Sequence, residues 1–91
     1  MSKHIIKREG HEEHYDERKV YASCYAACLN VRLANKEEAE KICEAVTAEI
    51  NEWIDTKDEV NSDELFARVT NALKKQNPDA AYMYETHRDI F

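Results

Sequence analysis

The chain has 91 residues, 43% of them hydrophobic and 35% charged, with a formal net charge of −6. That suffices for one domain around a single core, burying roughly 60–65% of the surface its unfolded chain exposes, and not for two. The apolar residues are too interrupted for a membrane span of about 20 residues, the polar amino terminus lacks the apolar stretch of a secretory leader, and an acidic body repels a long polyanion such as nucleic acid.

The charge is unevenly placed. Residues 1–19 carry five Lys/Arg (Lys3, Lys7, Arg8, Arg18, Lys19) against five acids, and residues 20–91 carry eight against fourteen. A local cationic focus on an acidic body suits a compact anion.

In chain order, "HIIKREGHEEHYD" predicts two short strands near 4–8 and 11–15 about a turn at Glu9-Gly10, because glycine supplies the positive φ of a tight hairpin. Gly10 is the single glycine, which excludes the Walker loop and the GxGxxG turn; both need several glycines for backbone to approach phosphate. Any phosphate ligand must then be held by side chains and a helix start.

Asp16 stands as an N-cap, and Val20, Cys24, Ala27, Cys28 and Val31 recur at three- and four-residue intervals, predicting a first helix over 17–32. Ala22, Ala26 and Leu29 widen its apolar face, so this helix is expected to be the most buried of the set. Asn35 and Glu38 have capping-box spacing and open a second helix, with Ala39, Ile42, Cys43, Val46, Ile50 and Trp53 on its inner face. The period disappears over "DTKDEV", where Glu59-Val60 is expected to add a third short strand. Asn61-Ser62-Asp63-Glu64 caps a third helix over 62–75, its acids complementing the helix dipole and its buried face supplied by Leu65, Phe66, Val69, Ala72 and Leu73. Asn77-Pro78 restarts the chain as a fourth helix through Ala81, Tyr84 and Arg88 toward Phe91. There is no internal repeat or low-complexity tract.

Cys24, Cys28 and Cys43 fall at apolar helical positions without a CxxC pair, which reads as reduced, buried thiols in a cytosolic protein. A three-cysteine metal site is the rarer reading. "HEEH", His11 to His14, is no zincin motif, because its histidines are three apart in a strand, where they face opposite sides. Tyr82, Met83, Tyr84 and Phe91 read as core and rim packing rather than a base-stacking platform. Ser23 and Cys28 lack a base-and-orienter set, so catalysis is not expected.

Three stretches at matching spacing, "IIKREG…EHYDERKV", "VNSDELFARV" and "NPDAAYMYETHRDIF", together resemble the ATP-cone family over essentially the whole chain. The family's hairpin is a hydrophobic-x-Lys-Arg-acid-Gly unit, followed by an aromatic-Asp step into a Lys-bearing helix. The resemblance implies an α+β domain over 1–91, a four-helix arrangement capped by a two- to three-stranded sheet built on the amino-terminal hairpin. It also implies a regulatory module that binds ATP or dATP, with or without Mg2+, and acts as an allosteric sensor for ribonucleotide reductase or its control. The expected partner is a second copy of the chain or a reductase subunit, in the cytoplasm, with no direct contact to nucleic acid or membrane.

Carried over residue by residue, Lys7 and Arg8 match the pair that meets the nucleotide, with the backbone near Ile5 lying along base or sugar. Glu13 and Asp16 match positions that recognise adenosine. Lys19 matches a phosphate contact, and Ser62 a hydroxyl at the start of the third helix. Phe66 departs from the polar residue some members carry one turn later. Lys7, Arg8 and Lys19 would offset most of the roughly four negative charges of ATP through charge-assisted hydrogen bonds. The carboxylates are useful only as acceptors for the adenine amino group or the ribose hydroxyls. Lys7 and Arg8 also read as edge cations that discourage strand aggregation, whereas Lys19 in a helical first turn opposes the dipole, a local mismatch typical of functional positions. The alternative to sensing is a helical interaction module that has lost its ligand. An ATP hydrolase lacks both a Walker loop and a recognisable general base.

Overall fold

The computed structural model describes residues 4–6, 12–31 and 35–86. In chain order these form β1 (His4–Ile6), β2 (Glu12–His14), α1 (Glu17–Leu29), α2 (Lys36–Asp55), β3 (Glu59–Asn61), α3 (Ser62–Gln76) and α4 (Pro78–Thr86). This is the expected α+β arrangement, four helices with a small mixed sheet. The turn at Glu9-Gly10, together with His87, Arg88 and Phe91, lies outside the described residues.

Local chemistry sets each helix start. Asp16, Asn35 and Asn61 accept from the backbone amides of Arg18, Glu38 and Glu64 respectively, and Asn77 Oδ1 accepts from the Ala80 amide at 3.1 Å, so that Pro78 takes the first position of α4. Each cap satisfies an amide that the helix leaves without an internal partner.

The helix ends carry corrections. α1 stops at Leu29 rather than 32, because Asn30 leaves the helical conformation and caps it, its side-chain Nδ2 donating to the Ala26 carbonyl at 2.8 Å and its backbone N–H to the carbonyls of Ala27 and Cys28. Its apolar face is also narrower than the sequence suggests: Val20, Cys24, Ala27 and Cys28 are buried, Ala22 is exposed and Leu29 is 65% exposed. The buried four form one stripe at i, i+4, i+7 and i+8, and Leu29 lies one residue, a rotation of about 100°, beyond it. The longest buried stripe belongs instead to α2, through Ala39, Ile42, Cys43, Val46, Ile50 and Ile54. Trp53 stands at the rim of that stripe, half-buried, with the Arg68 guanidinium 5.2 Å and the Lys57 ammonium 5.9 Å from its ring centroid.

α1 packs on α2, α2 on α3, α3 on α4, and α4 returns to α1, closing a four-helix ring. Val46, Ile50 and Ile54 of α2 and Val69 and Leu73 of α3 are fully buried within it; each such side chain contributes about 1.5–3 kcal/mol by leaving water. The three cysteines sit in the same core, and none forms a disulfide. Burial pushes the Cys24 thiol up to about 12. The Cys43 thiol is raised by its hydrogen bond to Cys28 and by burial. Both therefore remain protonated and behave as small apolar groups. Tyr84 is buried and Met83 half-buried as expected, whereas Tyr82 is 65% exposed and packs neither core nor rim.

The sheet order is β2-β1-β3, with β1 antiparallel to β2 and parallel to β3. A parallel pair requires a crossover, which here runs through α1 and α2. Ile5 pairs with Glu13 on one side and Val60 on the other. Directly opposed residues share a face of the sheet, so Val60, Ile5 and Glu13 form one row facing the helices. Val60 and Ile5 are 1% and 4% exposed, and the Glu13 carboxylate emerges at the edge strand.

Candidate functional site

The row just described determines what the hairpin can present. Ile5 is held between two partner strands with its side chain in the core, so β1 has no open edge, and a ligand beside it can lie only over a face. Glu13, two strands from Val60, is the polar end of the helix-facing row. Its Oε2 lies 3.8 Å from Lys19 Nζ in the first turn of α1. Lys19 is in turn fixed in the helix through its backbone amide, which donates to the Asp16 carbonyl at 3.0 Å.

Asp16 combines two duties. Its Oδ1 accepts from the Arg18 amide at 2.9 Å and from Arg18 Nε at 3.1 Å, and its Oδ2 accepts from Arg18 Nη2 at 3.1 Å. The Arg18 guanidinium and amide together hold the Asp16 carboxyl below the usual carboxylate range. The residue is thus ionised, caps α1, and keeps a guanidinium next to Lys19. The charge count included Arg18, but nothing in the local sequence marked it as a partner of Asp16.

Ser62 opens α3 directly after Asn61, the partner of Ile6 in β1. With strands about 4.8 Å apart, the start of α3 and the β2 edge stand about 10 Å from one another with β1 between them. Among the described residues the structure therefore joins Glu13, Asp16 and Lys19 at the β2–α1 junction and sets Ser62 on the opposite flank of the sheet. Lys7 and Arg8 lie outside the described residues. One turn after Ser62, Phe66 stacks on Tyr84 with centroids 5.1 Å apart and an interplanar angle of 19°. That commits its ring to the α3–α4 contact.

Beside the junction lies an open recess of about 520 Å³ between the start of α1 and the end of α2, lined by Tyr15, Asp16, Glu17, Arg18, Asn51, Ile54 and Asp55. Three carboxylates against one guanidinium make it unsuited to a triphosphate and suited to hydrogen-bond donors. Tyr15 Oη donates to Asn51 Oδ1 at 2.8 Å, and Asn51 Nδ2 donates to Glu17 Oε2 at 2.6 Å. Burial first, then the neighbouring Glu17 and Asp16 charges, push the Tyr15 phenol up to about 12. It is therefore a donor throughout the physiological range. Neither Tyr15 nor Asn51 is singled out by the sequence pattern; a polar residue following Ile50 of the buried stripe is the available signal.

Among the described residues, no group of three His, Cys, Asp or Glu side chains is arranged to hold a metal ion, and no helix is long and apolar enough to cross a membrane. His14 is exposed in β2, and His11 lies outside the described residues.

A family model described as the ATP cone domain matches residues 3–90, nearly the whole chain. No curated protein matches it.

Proposed function

Because this chain belongs to the ATP-cone family, a family of nucleotide-binding regulatory modules, we propose that it senses ATP against dATP over the hairpin, between the β2–α1 junction and the start of α3. The observation that carries this reading is the Glu13–Lys19 pair at the helix-facing end of the sheet, beside the acidic recess. The pair is exposed, with 70% of the Lys19 side chain open to solvent, and such pairs are worth only about 0–1 kcal/mol. A phosphate can therefore take the ammonium from Glu13 at little cost, and the Glu13 carboxylate is then an acceptor for adenosine.

In this reading Lys7, Arg8 and Lys19 hold the phosphates, with Arg18 standing close by. The amides at the start of α3, beside Ser62, add the positive end of a helix dipole. Glu13 and Asp16 accept from the adenine amino group or the ribose hydroxyls, with the backbone near Ile5 alongside. Asp16 keeps its cap and its bond to Arg18 while doing so, since a carboxylate offers about four lone-pair sites. Mg2+ accompanying the nucleotide would neutralise the phosphate oxygens that these cations leave uncovered. The output is a change in association with a partner, a second copy of the chain or a reductase subunit, driven by the difference in nucleotide affinity between two states. A cytoplasmic setting, with no role in direct contact with nucleic acid, fits this reading.

Phe66 favours a second reading, an interaction module that has lost its ligand, because the ring packed on Tyr84 replaces a polar group beside the α3 start. Calorimetric titration with ATP, dATP and GTP separates the two. Sensing predicts saturable heat with the adenine nucleotides, and absence of heat from all three at millimolar concentration selects the interaction module.

A further inference from the structure

The β2–α1 junction carries Glu13, Asp16 and Lys19, and its side-chain connection to the body of the protein is specific. Tyr15 reaches Asn51 across 36 positions of the chain, and Asn51 reaches Glu17 across 34. Neither bond serves the formation of a helix or a strand; each ties the junction to α2. An amide suits the middle position because it accepts and donates at once. Aspartate there would face Glu17 with like charge, and an apolar residue would leave the half-buried Tyr15 hydroxyl without its acceptor. The same residues line one side of the recess, so material entering it meets the bridge directly.

We infer that Asn51 is a positioning residue of the nucleotide site, which fixes the junction against α2 through Tyr15 and Glu17 and passes nucleotide occupancy to the carboxyl-terminal half of that helix. This rests on the sensing reading above and adds the route by which the site addresses the helical ring. α2 contacts both α1 and α3, so a change at its end reaches the neighbouring helices through packed side chains. With the bridge intact, nucleotide orders the junction and α2 together; with it broken, the junction is ordered alone.

The test is hydrogen exchange followed by mass spectrometry, with and without ATP, on the wild-type chain and on Asn51→Ala and Tyr15→Phe, with affinities from calorimetry. Loss of one hydrogen bond worth about 0.5–1.5 kcal/mol, as in Tyr15→Phe, corresponds to about 2- to 13-fold weaker binding, and loss of both, as in Asn51→Ala, to about 5- to 150-fold. The expected result is ATP-induced protection of both the β2–α1 junction and residues 47–55 in the wild type, and of the junction alone in Asn51→Ala. Tyr15→Phe removes only a hydroxyl and supplies the same comparison should Asn51→Ala fail to fold. Protection of residues 47–55 that survives in the variants overturns the inference whatever their affinity. So does a wild-type chain that binds ATP without protecting that segment, and the sensing reading then stands. A wild-type chain with no response to ATP anywhere overturns the sensing reading itself and this inference with it.

Discussion

Glu13 and Lys19 meet at 3.8 Å across the boundary between sheet and helix, the one a strand residue in the same row as buried Ile5, the other a helical residue one turn past the Asp16 cap. Such a contact is too exposed to hold the fold together and well placed to be exchanged for a ligand. Lys19→Ala is therefore expected to leave the unfolding free energy within about 1 kcal/mol of wild type. It should weaken ATP binding by about 10- to 100-fold, the worth of one hydrogen bond to a charged group. Urea unfolding and calorimetry on the same preparation check both halves.

The pH dependence of stability should carry the mark of Tyr15. Burial and the neighbouring Glu17 and Asp16 charges push its phenol up to about 12 in the folded protein from the ordinary 10.0, so between those values the folded state holds a proton that the unfolded state has released. The stabilisation is complete below about pH 10 and lost as pH rises through about 12. Subtracting the Tyr15→Phe profile from that of the wild type removes the contribution of the other tyrosines. The difference should be flat from pH 7 to 9 and fall above 10.

Asp16 acts in the opposite direction. Its pKa is lowered by Arg18, so its contribution is present above the ordinary value near 3.8 and disappears as pH falls through the depressed one. Asp16→Ala should flatten the acid limb of the stability curve and lower the melting temperature at neutral pH, as read by circular dichroism.

Thr47 Oγ1 is buried with no hydrogen-bond partner among the described residues. Thr47→Val keeps the branched shape and removes the unsatisfied hydroxyl, and should raise stability by about 1 kcal/mol. Ile50→Ala, on the same helix at 0% exposure, should cost about 2–5 kcal/mol by leaving a cavity. Thermal or urea denaturation decides both.

Legibility from sequence followed the range of the interaction. The caps at Asp16, Asn35 and Asn61 were readable because each bond closes within three residues. The third strand at Glu59–Asn61 could be anticipated only from loss of helical period and a β-branched residue, since its pairing with Ile5 and Ile6 is set across the whole crossover. Leu29 departs from expectation because periodicity marks an apolar stripe without saying how far a neighbouring helix covers its flank, whereas Trp53 packs against the core as expected but stays half-buried, with Arg68 and Lys57 over its ring. The candidate site divides in the same way. Glu13, Asp16 and Lys19 come together within seven residues of chain, whereas the Tyr15–Asn51–Glu17 bridge spans separations no local pattern encodes.

The measurement closest to the central claim is ATP titration of the Lys7→Ala/Arg8→Ala double variant beside the wild type, with helical content followed by circular dichroism. A site built on the hairpin cations predicts saturable binding by the wild type and its loss in the double variant at undiminished helicity. Equal affinity in the two proteins would place the phosphates elsewhere and contradict the account.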